Sequence, residues 1–443
     1  MPVCVAAVVG AVYVLFACWQ WTHIVVRSWD LGIFTQLVQS YARLRPPIVD
    51  IKGDGFNLLG DHFHPLLALL APVYALFPSA FTLLVVQGSC FGLSAGILAR
   101  AATGILRSAW LAAAVGVVFG LSWGLQHAAD AQFHEIATAV PLLTVSLCAL
   151  LARRWRASLL WAAPLVFVKE DLGLTVVAIG LLIAYRSRRP AGIWLAVWGA
   201  AWFLIAVLVV LPLFSPTGAW QYAGSADIAA ALSDPATLFH PSKGLTLALL
   251  LIASAGAVLR SPVAIVLLPT LAWRFLSTNE GYWGPTWHYS AVLMPIAFVA
   301  LLDAVRAGRV SRRRWMRGYA RWAAPGAIVA AMVLLPGLPV WSAFAPDAWP
   351  PAPRAVAAHA VLDAVPAGAG VETDVGLMSY LVDAHDVHWI GNANPPPDCI
   401  LIDRLAGGTP SDWGSAVDVG RRLHPGTAYR PTRAASGYEL ACR

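Results

Sequence analysis

Long apolar blocks separated by short polar stretches dominate the first 345 residues of this chain. A hydrocarbon layer of roughly 30 Å is crossed by about 20 apolar residues in helical form. The blocks near 3–26, 81–101, 108–126, 135–152, 157–168, 171–186, 191–213, 244–260, 262–277, 289–306 and 322–341 are therefore read as spans. The pair 157–168 and 171–186 is short and is separated by three charges, Lys169, Glu170 and Asp171. Residues 66–77 are apolar but short and flanked by Pro65 and Pro78, which predicts an interfacial or re-entrant helix instead of a span. The first block has no basic segment ahead of it and outruns the apolar core of a cleaved signal, so it is expected to be retained.

The pattern changes after Trp349-Pro-Pro-Ala-Pro353. Short strands are expected near 370–373, 386–390 and 398–402, interleaved with helical patterns near 354–364, 375–382 and 413–422. The expected architecture is a polytopic α-helical membrane protein of about eleven transmembrane helices over 1–345, with a first loop at 27–80. A small soluble α/β domain is expected over 350–443.

Composition strengthens this reading. Of the residues, 59% are hydrophobic and 12% charged, about half the usual charge of a soluble domain. Many of the 20 tryptophans sit near block ends, as interfacial anchors do. The net charge of +7 does not point to nucleic acid, because the basic residues lie between apolar blocks, where lipid headgroups are the partner. With a cytoplasmic N-terminus, the inside loops hold 16 Lys and Arg against seven on the other side before residue 350. That bias predicts a cell-membrane protein with a cytoplasmic N-terminus and an extracytoplasmic C-terminal domain. Cys4, Cys18, Cys90 and Cys148 lie in apolar blocks and read as small core residues. Cys399 and Cys442 fall in the outside domain, where a disulfide between them is permitted and expected. No CxxC pair or zinc spacing occurs.

Charge distribution brings in candidate chemistry. Asp30, Asp54, Asp61, His62, His64, Asp130, His134, Glu135, Lys169, Glu170, Asp171, Glu280 and His288 all gather at the edge opposite the arginines. Any one of them can be a helix cap, but caps alone would be shared between the two edges. Asp30 opens a helical pattern and is either its cap or a general base or metal ligand. Asp61, His62 and His64 lie within four residues; they could offer carboxylate and imidazole to a divalent metal, bind a phosphate, or cap the next helix. His134 and Glu135 begin a span, and His288 and Tyr289 begin another. Three consecutive charges at Lys169, Glu170 and Asp171 are costly between apolar stretches unless paired or facing water, and Lys169 suits a phosphate. No P-loop, GxSxG, HExxH or dinucleotide-binding GxGxxG is present.

The stretches Trp29-Asp-Leu-Gly-Ile-Phe34, Leu59-Gly-Asp-His-Phe-His-Pro65, Leu70-Ala-Pro-Val-Tyr74, Phe133-His-Glu-Ile136 and Val168-Lys-Glu-Asp-Leu-Gly173 resemble a family of predicted bacterial membrane proteins, domain of unknown function 2079. Val365-Pro-Ala-Gly368 and Cys399-Ile-Leu-Ile-Asp403 extend the resemblance to the end of the chain. That family is similar in layout to the GT-C glycosyltransferases, polytopic enzymes with an essential acid in the first extracytoplasmic loop and a polyprenyl-phosphate sugar as donor. By position Asp30 matches that acid, although Leu31 follows it where many such enzymes have a second acid. Asp61 matches no fixed position of that superfamily, and its catalytic role rests on the local pattern.

The resemblance implies transfer of a sugar from a lipid phosphate to a glycan or protein acceptor outside the membrane. Asp30 and Asp61 would be the catalytic carboxylates. Lys169, with Arg27 or Arg274, would face the phosphate, while Glu170, Asp171, His62, His64, His134, Glu135, His288 and Tyr289 would complete the substrate site. The competing classes are a transporter or lipid flippase and a non-catalytic assembly protein. A transporter predicts inverted repeats and polar residues at mid-membrane, and the sequence has neither.

Overall fold

The computed structural model describes residues 1–25, 28–222, 224, 234–405 and 413–443. Among these, seven helical stretches are long and apolar enough to cross a membrane: Pro2–Thr22, Ala80–Leu106, Ala109–Asp130, Ala191–Phe214, Ala236–Ala253, His288–Arg309 and Arg314–Gly337. Ile136–Leu151, Leu172–Ser187 and Pro262–Leu276 are apolar but shorter than a full span. Residues 155–167 form one short helix, Trp155–Ala162, and a 3-10 turn, so this expected span falls short of bilayer thickness. Pro164 lies where the α-helix gives way to the tighter turn. Residues 65–76 are a 3-10 turn followed by the short helix Ala71–Leu76.

Close approach of backbones holds the bundle where lipid supplies no hydrophobic drive between helices. Helices Leu172–Ser187 and Ala191–Ile205 meet at Gly180 and Gly192. A Cβ at Gly192 would lie 2.4 Å from the Ala184 nitrogen and 2.5 Å from the Gly180 carbonyl oxygen. One end of the bundle is closed by arginines that satisfy last-turn carbonyls left without partners by helix geometry. Arg309 donates to Ile105 and Leu106, and Arg306 to Leu151. Arg186 pairs with Asp303 at 2.5 Å, and Asp303 also accepts from the Ser261 hydroxyl.

After the helices comes a five-stranded sheet of order β2-β1-β3-β5-β4. The strands are β1 Gly370–Thr373, β2 Asp386–Trp389, β3 Cys399–Asp403, β4 Arg430–Ala435 and β5 Tyr438–Cys442. β1 runs parallel to β2 and β3, whereas β3–β5 and β5–β4 are antiparallel. Cys399 stands opposite Cys442 across β3–β5, and the two are disulfide-bonded. Helix Ala416–Leu423 starts with a reciprocal capping box between Ser415 and Asp418.

The C-terminal domain departs from the sequence pattern in two places. The helix expected at 375–382 is a run of tight turns containing the 3-10 segment Met378–Tyr380; Met378, Leu381 and Val382 are buried at the i, i+3, i+4 spacing of a helix face, which these turns reproduce without an α-helix. The β4–β5 hairpin is absent from the sequence reading, because β4 is an exposed polar edge strand carrying Pro431.

The opposite edge of the sheet is covered by the loop after the first helix. Gln36, on helix Asp30–Ala42, donates through Nε2 to the Val387 carbonyl at 2.8 Å and accepts from the Ile51 N–H at 3.0 Å. Asn392 Nδ2 donates to the Ile51 carbonyl at 3.0 Å. One buried apolar cluster runs from the bundle through Leu31, Leu37 and Ile51 into Met378, Leu381 and Val387.

Candidate functional site

Three acids, Asp30, Glu135 and Asp171, stand at helix starts at the end of the bundle opposite the arginines, and none of the three caps its helix. Asp30 is in the first turn of Asp30–Ala42, yet its carboxylate faces His134 Nε2 at 3.3 Å. Glu135 precedes Ile136–Leu151 and makes no capping bond; instead it lies 2.8 Å from Lys169 Nζ. Asp171 precedes Leu172–Ser187 and also caps nothing. These carboxylates give up the commonest stabilising role open to an acid at a helix start.

They line a cavity of about 470 Å³ together with Asp61, His62, His64, His134, Lys169, Glu170, His288 and Tyr289. Each site residue foreseen in the sequence is thus brought to one space, with two exceptions. Arg27 lies outside the described residues. Arg274 is fully buried away from the cavity lining. Its guanidinium donates to the carbonyls of Tyr282 and Gly284, both at 2.7 Å, and to the Ser290 hydroxyl at 3.1 Å. It holds the segment that carries Tyr282, Trp287, His288 and Tyr289, and its guanidinium is not part of the cavity lining.

Charges within the cavity are arranged as pairs. His62 Nδ1 is 2.7 Å from Glu170, whose second oxygen accepts the Phe63 N–H at 3.0 Å. Lys52 Nζ is 3.1 Å from Asp61, which also accepts the Tyr222 hydroxyl at 3.1 Å. The Tyr222 ring stacks on His62 with centroids 4.7 Å apart, and His134 stacks on His288 at 3.7 Å. Asp61, His62 and His64 therefore do not converge on a metal, since the first two turn to Lys52 and Glu170. Among the described residues no group of three His, Cys, Asp or Glu side chains is arranged to hold one.

Burial and pairing set the protonation of these groups. Burial works to raise the Asp30 carboxyl, but the facing His134, the Ser28 hydroxyl and Lys169 hold it below the usual carboxylate range. Burial likewise opposes ionisation of Glu170, yet His62 draws it down to about 2. Glu135 is lowered by Lys169 against its burial, and Lys169 is raised by Glu135 against its own. His62 is raised by Glu170 despite burial. Two groups go the other way: burial depresses His64 to about 4 and pushes Asp171 up to about 6. At neutral pH His64 is neutral, and Asp171 is a weaker acid than the carboxylates paired with Lys52 and Lys169.

Sequence reasoning missed Lys52, Tyr222, Trp220, Trp273 and Tyr282, all of which line the cavity. A usable signal existed for Lys52. The chain has three lysines among its 30 basic residues, and two of them, Lys52 and Lys169, are in this cavity. The third, Lys243, donates to the carbonyls of Thr237 and Phe275. The aromatic side chains left no trace, because tryptophan and tyrosine at membrane edges are ordinary anchors. Chemically the cavity combines carboxylate bases, ammonium and imidazole groups, and aromatic faces suited to a sugar or another ring.

The fold is similar to that of ArnT from Cupriavidus metallidurans, whose apo crystal structure superposes with a TM-score of 0.54 over 97% of this chain and 96% of that one, at 13% identity. Comparison with curated proteins finds no match. The family profile of predicted membrane proteins named DUF2079 matches residues 22–440, and the chain belongs to that family.

Proposed function

We propose that this protein is a GT-C-type glycosyltransferase that moves a sugar from a polyprenyl-phosphate donor to a glycan or protein acceptor. The observation that carries the reading is the set of acids at helix starts, none of them capping, which line one cavity at the non-arginine end of an apolar bundle. The similarity in fold to ArnT, a GT-C glycosyltransferase, supports it.

In this reading the N-terminus and the arginine-rich end are cytoplasmic, and the cavity and the sheet are extracytoplasmic. The acceptor hydroxyl oxygen attacks the anomeric carbon of the donor. A new C–O bond forms, the bond from that carbon to the phosphate oxygen breaks, and its electron pair leaves with the lipid phosphate. The hydroxyl proton passes to a carboxylate, for which Asp30 is the candidate at the cavity edge, with Asp61 as the second carboxylate beside Lys52. Lys169 and Lys52 supply positive charge at the depth of lipid headgroups, and the polyprenyl tail follows the apolar helices. His62, His64, His134, His288 and Tyr289 hold the sugar and phosphate by hydrogen bonds, with Glu135, Glu170 and Asp171 fixing or completing that set. No step requires a resident metal.

The test is to supply radiolabelled polyprenyl-phosphate pentoses and hexoses to the purified protein in lipid, with cell-envelope extract as acceptor. Transfer of label from at least one donor is expected. Absence of transfer from every donor, with the protein folded, contradicts the reading.

A further inference from the structure

The sheet's covered edge reaches the cavity through one aromatic contact. Trp389, the last residue of β2, meets Trp29 edge-to-face with ring centroids 4.9 Å apart and planes at 73°. Trp29 lines the cavity, and Lys52 Nζ lies 5.0 Å from its ring centroid and 5.7 Å from that of Phe56. The same ammonium is 3.1 Å from Asp61. A continuous line of contacts thus runs from β2 through Trp389, Trp29 and Lys52 to a cavity carboxylate.

The position of Trp389 is built by its neighbours. A Cβ at Gly391 would lie 2.4 Å from the Trp389 six-membered ring, so the indole occupies the space that only a glycine leaves. Asn394 Nδ2 donates to the Trp389 carbonyl at 2.8 Å and to Glu372 at 2.7 Å. Gln36 and Asn392 tie the Ile51 turn, next to Lys52, to helix Asp30–Ala42 and to the chain just after β2.

We propose that Trp389 is a positioning residue: the C-terminal sheet sets the Lys52–Asp61 pair in the cavity by holding Trp29 in place. A lysine on a turn has many rotamers, and a cation over an aromatic face restricts them. The face of Trp29 is available to Lys52 only while the Trp29 ring is held in place by Trp389. The sheet is then part of the site's architecture and not an independent module, whatever ligand the cavity takes.

The three lysines make the proposal directly measurable. The full-length protein in lipid nanodiscs is treated with a limiting amine-acylating reagent, and Lys52, Lys169 and Lys243 are read separately by peptide mass spectrometry. Trp389→Ala is expected to raise labelling of Lys52 about fivefold, the scale of one lost edge-to-face contact. Lys169 and Lys243 should keep their parental rates. Trp389→Phe, which keeps an aromatic edge, should restore the parental Lys52 rate, and Gly391→Ala, which displaces the indole without removing it, should reproduce the alanine variant. An unchanged Lys52 rate in Trp389→Ala overturns the proposal. So does an equal rise at all three lysines, which reports general loosening. The readout needs no turnover, so it stands or falls separately from glycosyl transfer.

Discussion

Lys169 Nζ lies 2.8 Å from the Glu135 carboxylate, with the two side chains 13% and 2% exposed. The pair joins two helix starts that are 34 residues apart in sequence and fixes them at the cavity. Removing one partner strands a buried charge, whereas removing both does not. Lys169→Met should therefore lower stability by about 3 kcal/mol. Adding Glu135→Gln to it should recover a good part of the loss. Thermal unfolding of the parent, both single variants and the double variant in one detergent measures the coupling.

Among the described residues Arg274 has no carboxylate partner, and its work is done on backbone carbonyls. Lysine cannot reproduce the fork that reaches Tyr282, Gly284 and Ser290 together. Arg274→Lys is expected to cost about 2 kcal/mol. Faster amide hydrogen exchange confined to residues 277–290 would be its signature, and exchange unchanged there would contradict the assigned role.

Asp171 gives a pH dependence of defined sign. Its carboxyl, pushed by burial to about 6, sits above the ordinary value, so folding favours the protonated form. Its contribution to stability is greatest below the unfolded value near 4 and declines as pH rises through about 6. Asp171→Asn should be more stable than the parent at pH 7 by about 2 kcal/mol. The advantage should vanish near pH 4. Thermal unfolding between pH 4 and pH 8 checks both the gap and its direction.

At Gly180 and Gly192 the backbones of two helices touch. Gly192→Val should force them apart at a cost of about 2 kcal/mol. Neither glycine lines the cavity, so ligand affinity per folded molecule should change less than stability does.

The legible part of this molecule was what hydrophobic period and charge count encode. Blocks such as 81–101 and 191–213 declare themselves by length, and the strand near 398–402 by the apolar run Cys399-Ile-Leu-Ile402 after a proline-rich turn. The edge that gathers Asp30, Glu135 and Asp171 was also legible, because an acid at the start of an apolar block is visible without a structure. Pairing was not. Nothing in the sequence says that Asp61 turns to Lys52 and His62 to Glu170, since those contacts depend on how helices meet. Arg274 looked like a cavity cation because its position near a span end matches one; its three bonds to the 282–290 segment are a tertiary outcome. The β4–β5 hairpin was hidden for a local reason, as an edge strand with solvent on both sides needs no apolar alternation.

The most direct test of the central claim compares the parent with Asp30→Asn in proteoliposomes, following transfer from the active polyprenyl-phosphate sugar and donor binding by quenching of the cavity tryptophans. Transfer by the variant is expected to fall about 10²-fold or more, with donor affinity within a few-fold of the parent. Transfer by Asp30→Asn at the parental rate would contradict the claim.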